Sequence, residues 1–409
     1  MKDKIRVLIL NHYDRLSPRV EHEVLTLVKA GYEVYILSWG RLSEPVEPLP
    51  PSSVSSMTIY HPAPRGTLML LLHLLPYYSK VFQRLKGHRF DVVHCTHLML
   101  LPLAFLLKRR WQARMIYDVY EFHLEETHER LSTLLKWLVP LLRWLEGKLI
   151  QCADGILTID SAKQELVRYY RRFQVNTEAL YNVPNIHIRI DREKVELLKR
   201  HYENRRIVLY LGGLSEAKGV FSALEAARLV ASKIPQVLFL FIGTFHEKPV
   251  EERFWKTVTT YALDDCIEFI PWLPYEEMLH YVAVGEVGLA LHQPIPRFFK
   301  VSKGNGRKFF TYMQFGVPIV GPAFGEVGQI VREEGCGLLV DTTNPREVAN
   351  AIIRLLESPQ EARAMGERGR KAIHDRYNWE TEEQKLLMVY ERALRKEIYE
   401  QSTQAQNPS

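Results

Sequence analysis

The chain has 409 residues, 46% of them hydrophobic and 25% charged, which excludes wholesale disorder and leaves room for two or three domains. The formal net charge of +6 is spread along the chain; it suits a protein that handles phosphorylated ligands or sits near anionic lipid, and it forms no aromatic-interleaved basic patch of the kind nucleic acid needs. Four cysteines, Cys95, Cys152, Cys266 and Cys336, lie far apart and read as free thiols in a reducing cytoplasm, with neither zinc-site nor disulfide spacing.

The first apolar run, Ile5–Leu10, suits a strand buried on both faces, and it stops too soon for a secretory signal. Ser17 and Pro18 read as a helix cap and first helical position. The helix they open carries Val20, Val24, Leu27 and Val28 and ends at Gly31, and a second strand follows at Glu33–Leu37. This βαβ unit of about 30 residues predicts a doubly wound parallel sheet. The alternation continues, with strands expected near 91–94, 114–118 and 155–159 and helices near 68–86, 98–108, 125–151 and 161–172. The apolar stretches Leu68–Leu75 and Leu98–Leu107 fall well short of the ~20 residues that span a bilayer, so no transmembrane helix is expected.

A less regular, charged stretch around 182–206 reads as the domain linker. A second α/β series starts at Ile207–Leu211, continues through strands near 237–242, 267–270, 287–291, 318–320 and 337–340, and closes on helices at 345–357, 360–374 and 379–396. The expected organisation is therefore two Rossmann-like domains, 1–185 and 186–378, with 379–409 forming a helix that returns to the first domain and a polar tail.

Four segments could carry chemistry. Gly212–Gly219 reads as a glycine-rich loop between a strand and a helix, with Lys218 beside it; backbone N–H groups and a helix N-terminus there favour an anion. The plain alternative is an ordinary turn with a solvated lysine. Residues 301–308 combine glycines with Lys303, Arg307 and Lys308 before another helix, and a diphosphate is the obvious guest. Residues 117–125, with Tyr120, Glu121 and His123, gather hydroxyls, carboxylates and a histidine at the carboxyl end of a strand; acid–base roles stand beside the simpler reading of an acid-rich helix start. His94 and His97 could pair on a metal but lack a third ligand, and a core or wall position is favoured. Separately, Trp137 and Trp144 among cations on the helix near 131–149 leave contact with a membrane interface open, against the plainer reading of a core helix with snorkelling cations.

These segments, in this order, resemble glycosyltransferase family 4, of GT-B fold. The likeness runs through Ser17–Val20 with Glu23, Ala30–Val34, Asp91–His94 with His97, Tyr117-Asp118 with Glu121, Cys152–Asp154, Tyr181–Pro184, Tyr210–Leu214 with Lys218-Gly219, and Lys308-Phe309 with Tyr312-Met313, Gly316 and Pro318. The resemblance implies an α/β chain of two parallel-sheet domains facing across a cleft. It implies sugar transfer, with retention, from a UDP- or GDP-sugar to a glycan or lipid-linked acceptor, without an obligatory metal or other cofactor. It implies a cytoplasmic protein that can sit peripherally at the inner membrane face. Gly212, Gly213, Lys218, Arg307, Lys308 and Thr311 would meet the donor, and Tyr120, Glu121, His123 and His97 would serve near the transferred sugar. Two departures from the family matter most, Tyr120 in place of a histidine and Thr311 in place of a ribose-binding glutamate; Gln329 also stands where a glutamate is frequent and Gly213 where an arginine is. They keep a second hypothesis alive, a GT-B scaffold that has lost catalysis and serves a glycan-assembly system.

Overall fold

The computed structural model describes residues 4–13, 16–41, 54–63, 67–119, 138–159, 165–173, 175–188, 190–245, 247–300 and 306–405. The chain divides into two compact units: residues 1–160, 164–180 and 382–409 form the first, and residues 161–163 and 181–381 the second.

The first unit holds strands β1 (Arg6–Asn11), β2 (Glu33–Gly40), β3 (Ser55–Tyr60), β4 (Val92–Cys95), β5 (Arg114–Val119), β6 (Gly155–Thr158) and β7 (Thr177–Ala179). Its helices are α1 (Pro18–Lys29), α2 (Thr67–Arg84), α3 (Leu101–Trp111), α4 (Leu138–Ile150) and α5 (Glu165–Arg171). All strand pairs are parallel, in the order β3-β2-β1-β4-β5-β6-β7. The switch in winding direction therefore falls between β1 and β4. The Ser17 side chain accepts from the Val20 N–H and Pro18 takes the first turn, so α1 starts where the sequence says. On one face, Leu8, Leu10, Val93, Cys95, Met115 and Tyr117 pack with α2 and α3 in a single apolar core. The alternate side chains His94 and Asp118 face α1 and the last helix, α15 (Trp379–Ala405), as period-two strands require.

The second unit holds β8 (Arg206–Leu214), β9 (Val237–Phe245), β10 (Ile267–Pro271), β11 (Val287–Leu289), β12 (Ile319–Pro322) and β13 (Gly337–Val340), parallel in the order β10-β9-β8-β11-β12-β13. Its helices are α6 (Arg192–His201), α7 (Val220–Ala231), α8 (Lys248–Thr260), α9 (Tyr275–Val282), α10 (Pro296–Lys300), α11 (Arg307–Gln314), α12 (Gly325–Glu334), α13 (Pro345–Glu357) and α14 (Pro359–Asp375). Helices α7, α8 and α13 cover one face with Phe239 and Phe241, and α11, α12 and α14 cover the other with Leu209 and Leu211. The switch point lies between β8 and β11. The last helix begins in this unit, and from Glu382 onward it belongs to the first.

Seven described elements go beyond the sequence expectation: β3, β7, α6, α8, α9, α10 and α12. β3 and β7 are edge strands, and β3 exposes Ser55, Ser56 and Met57, so neither shows a buried run. The charged stretch expected to be irregular contains α6, capped by Asp191 and burying only Val195. Helices α8 and α9 are short amphipathic segments between strands that were expected.

Candidate active site

In the second unit the site grows from the carboxyl edge of β8 and β11, where open α/β sheets bind ligands. β8 runs further than expected. Gly212, Gly213 and Leu214 pair with Gly243, Thr244 and Phe245 of β9, so the two glycines lie in the strand and only Ser215–Gly219 forms the turn. Gly212 has φ +97 and open space around its missing side chain, which leaves its backbone approachable. At Gly219, φ is +76 and an added Cβ would stand 2.1 Å from the Leu291 carbonyl oxygen. The turn is thereby held against the end of β11, and the Gln293 N–H donates to the Ala217 carbonyl across the same gap at 2.9 Å. Lys218 sits in this turn, its carbonyl accepting from the Tyr210 hydroxyl at 3.0 Å.

Helix α11 supplies the other wall. The Tyr312 hydroxyl accepts from the Leu211 N–H at 3.1 Å and lies 3.1 and 3.3 Å from the Leu209 and Leu289 carbonyls, stitching α11 to both switch-point strands. Lys308, four residues earlier on the same helix face, is thereby carried under the sheet edge. Its ammonium is buried with no hydrogen-bond partner among the described residues, 5.2 Å from the centre of the Tyr210 ring. Burial, aided by the nearby charge of Lys218, pushes its pKa down to about 7. Arg307 stacks over the Tyr275 ring at 4.0 Å. Thr311 is buried; its hydroxyl lies 3.2 Å from the Arg307 carbonyl and 3.2 Å from the Tyr275 hydroxyl. The Gly306 N–H, at the head of α11, donates to the buried Glu326 carboxylate at 2.9 Å. The structure thus gathers Gly212, Gly213, Lys218, Arg307, Lys308 and Thr311 in one unit. Tyr210, part of the family-like segment, lies among them, and Tyr275 and Glu326 join unforeseen, since each is an unremarkable residue in its own segment.

In the first unit, Tyr120, Glu121 and His123 lie outside the described residues, as do 301–305 of the second. His97 is described: its Nδ1 accepts from the Met99 N–H at 3.1 Å, capping a short 3-10 turn, and its ring lies tilted against that of His12, centroids 4.0 Å apart. Tyr117 and Asp118 point inward. Asp118 takes a two-pronged contact from Arg19, at 2.6 and 3.2 Å, and Arg19 also donates to Glu23 at 3.1 Å and to the Leu180 carbonyl at 2.9 Å. His94 is wholly buried, its Nδ1 2.7 Å from the Tyr390 hydroxyl and its Nε2 3.5 Å from Glu23. Glu23, His94 and Asp118 group tightly enough to suggest a metal, but the Arg19 guanidinium already occupies the carboxylates. Burial pushes His94 down to about 3 and raises Glu23 well above the carboxylate range, with Asp118 reinforcing the rise. His94 is thus a neutral core histidine and does not pair with His97 on a ligand.

Comparison with known proteins follows the same division. A model described as "Glycosyl transferase 4-like domain" matches residues 16–185, and one described as "Glycosyl transferases group 1" matches residues 191–372. The MMP alpha-(1->4)-mannosyltransferase of Mycolicibacterium hassiacum is 24% identical over 76% of this chain and 73% of its own length. Spore coat protein SA of Bacillus subtilis is 23% identical over 77% and 82%. Among solved structures, sucrose-phosphate synthase from Thermosynechococcus elongatus superposes with a TM-score of 0.72 at 18% identity, covering 96% of this chain and 99% of that one. HepE from Anabaena in complex with UDP superposes with a TM-score of 0.70 at 15% identity, over 95% and 100%. Among the described residues no helix is long and apolar enough to cross a membrane. The chain belongs to glycosyltransferase family 4 and has the GT-B fold.

Proposed function

We propose that the protein transfers a hexosyl group from a nucleoside diphosphate sugar to a glycan or lipid-linked acceptor, with retention of anomeric configuration and without an obligatory metal or other cofactor. Lys308 carries the proposal: a buried ammonium without a hydrogen-bond partner among the described residues, beside Lys218 and at the head of a helix, is costly until an anion arrives. A diphosphate held there would restore the charge on Lys308. It would also use Lys218, Arg307 and the exposed backbone of Gly212 and Gly213. The bond from the anomeric carbon to the diphosphate breaks, a bond to an acceptor oxygen forms, and that oxygen's proton passes to the departing diphosphate; the cations stabilise the departing diphosphate in the role a divalent metal plays elsewhere. Thr311 serves the donor pocket by fixing the Tyr275 hydroxyl at its wall. Tyr120, Glu121, His123 and His97 are the acceptor-side groups. HepE's structures with UDP and with UDP-glucose support UDP-sugars as the first donors to try. The proposed setting is the cytoplasm, at the inner membrane face when the acceptor is lipid-linked.

The buried Thr311 favours a second reading, a donor-blind scaffold, because it offers no carboxylate to a ribose. Thermal-shift and donor-hydrolysis measurements with UDP-, GDP- and ADP-sugars separate the two. A stabilising shift and turnover with one donor are expected; no shift and no turnover with any of them would sink the transferase reading.

A further inference from the structure

Helix α2 carries a histidine, His73, that faces a second one across the end of β3. His61 stands one residue past β3, at the carboxyl edge of the first sheet, where open α/β sheets place ligands. Its backbone is pinned on both sides: its N–H donates to the Gly40 carbonyl at 2.9 Å, and its carbonyl accepts from the Trp39 indole at 2.9 Å. Trp39 in turn stacks on Tyr77 at 4.2 Å, one turn along α2 from His73. The packing of β2, β3 and α2 therefore sets where the two imidazoles meet. His61 Nε2 and His73 Nδ1 lie 3.2 Å apart, both rings half-buried.

Two ring nitrogens at that distance share either one proton or one metal ion. Zinc–imidazole bonds of about 2.0–2.1 Å at a tetrahedral angle place two ligand nitrogens about 3.3 Å apart, close to the 3.2 Å found here. An ion can thus replace the bridging proton with little movement of either ring. Ligation needs neutral imidazoles. Burial, with the charges of Lys80 and His73, pushes His61 below the ordinary histidine range, so it is held neutral at pH 7. Among the described residues no carboxylate or thiolate joins the pair as a third ligand. An all-imidazole set selects zinc, copper or nickel over magnesium and calcium, and the remaining coordination falls to water or a ligand oxygen. The same wall holds an unsatisfied polar group. The Tyr77 hydroxyl is buried without a hydrogen-bond partner among the described residues, on a ring 6.4 Å from that of His61, and such a group calls for ordered water or a ligand oxygen nearby.

We propose that His61 and His73 form a binding site for a divalent cation of the zinc class, with two protein nitrogens and the other positions open to water or to an oxygen of a bound molecule. The site belongs to the first unit and uses none of the donor residues of the second, Lys218, Arg307, Lys308 and Thr311. Cation binding here and transfer without an obligatory metal are therefore independent, and either can fail alone. The alternative state is a plain imidazole–imidazole hydrogen bond, in which the two rings only tie β3 to α2.

The test is calorimetric titration of the full chain, stripped of metal and carrying no affinity tag, with zinc alone and with zinc in the presence of excess magnesium. Wild type should show a saturable zinc site that magnesium leaves untouched. His61→Gln and His73→Gln should each weaken it by roughly tenfold or more, while His374→Gln, which alters an exposed histidine of the second unit, should leave it as it is. All variants should keep the wild-type response to UDP in thermal melts. In the wild-type chain zinc should also shield His61 and His73, and not His374, from acylation by diethyl pyrocarbonate, read by peptide mass spectrometry; this arm needs no variant to fold. The absence of a saturable zinc site, zinc binding unchanged in both variants of the pair, equal competition by magnesium, or acylation of the pair undiminished by zinc overturns the proposal and leaves the plain hydrogen bond.

Discussion

Glu23 and His94 face each other across 3.5 Å inside the first unit, and their shifts oppose in a way that a pH titration of stability can read. Burial raises both Glu23 and Asp118, Glu23 further, and Arg19 grips Asp118; the proton shared by the two carboxyls therefore sits on Glu23. His94 is held neutral, down to about 3. Between roughly pH 4.5 and 6.5 the unfolded chain carries its proton on the histidine and the folded chain carries one on the glutamate. The proton counts match, so this pair contributes no slope there. Glu23→Gln removes one side of the balance. Only the unfolded state then takes up a proton below pH 6.5, so stability should fall with acid, by about 2 kcal/mol at pH 5 from the distance between 6.5 and that pH. In a unit of this size that is a melting shift of roughly 4–8 °C. His94→Gln should tilt the profile the other way, losing stability as pH rises from about 4.5, because only the folded state then keeps the glutamate proton. Calorimetric melts of the three proteins between pH 4.5 and 7.5 check it. Parallel profiles for wild type and Glu23→Gln would refute the assignment of neutral Glu23 beside neutral His94.

Lys308→Met should weaken UDP binding by one to two orders of magnitude in calorimetry, the worth of a charge-assisted contact, yet leave the ligand-free melting temperature unchanged or higher. The ligand-free wild type should also gain stability from pH 7 towards 10, where only the unfolded state holds the Lys308 proton, and the methionine variant should lose that slope. Thr311→Val should cost about 1 kcal/mol through its two hydrogen bonds and change UDP affinity little; a tenfold loss of affinity would show the hydroxyl meeting the nucleotide directly. Gly219→Ala, at φ +76 and against the Leu291 carbonyl, should lower the melting temperature by several degrees and weaken UDP binding by displacing Lys218. Gly31→Ala, at φ +92 with open space, should cost only the backbone strain and leave UDP binding intact.

The two parallel sheets were legible because central strands such as β1 and β8 are apolar on both faces and α1 announces itself with Ser17, Pro18 and Gly31. The misses have physical causes. β3 is half exposed at a sheet edge, and α6 buries one residue, so its apolar stripe is too thin to see, although Asp191 was a readable cap. Gly212 and Gly213 looked like a loop because glycine suggests a turn, whereas Gly243 of β9 approaches the Gly212 carbonyl so closely that only glycine-lined strands can pair there. Lys308 could be chosen from its place in a basic, glycine-rich segment. Its burial could not, since that depends on Tyr312 tying α11 to two strands distant in sequence.

Arg19 shows the converse limit. With Glu23 four residues on, it reads as a solvated helix pair, and only the fold reveals both inside the core. Each unit therefore buries cationic charge near the carboxyl edge of its sheet, and the two differ in how that charge is met. In the first, Arg19 is answered within the protein by Asp118, and the neutral Glu23 and His94 complete a closed set. In the second, no carboxylate among the described residues is paired with Lys308, whose pKa falls instead. A protein can stabilise a buried cation by an internal anion or leave it waiting for an external one. That asymmetry, more than the presence of glycines or lysines, is what supports the proposed place of the anionic donor in the second unit.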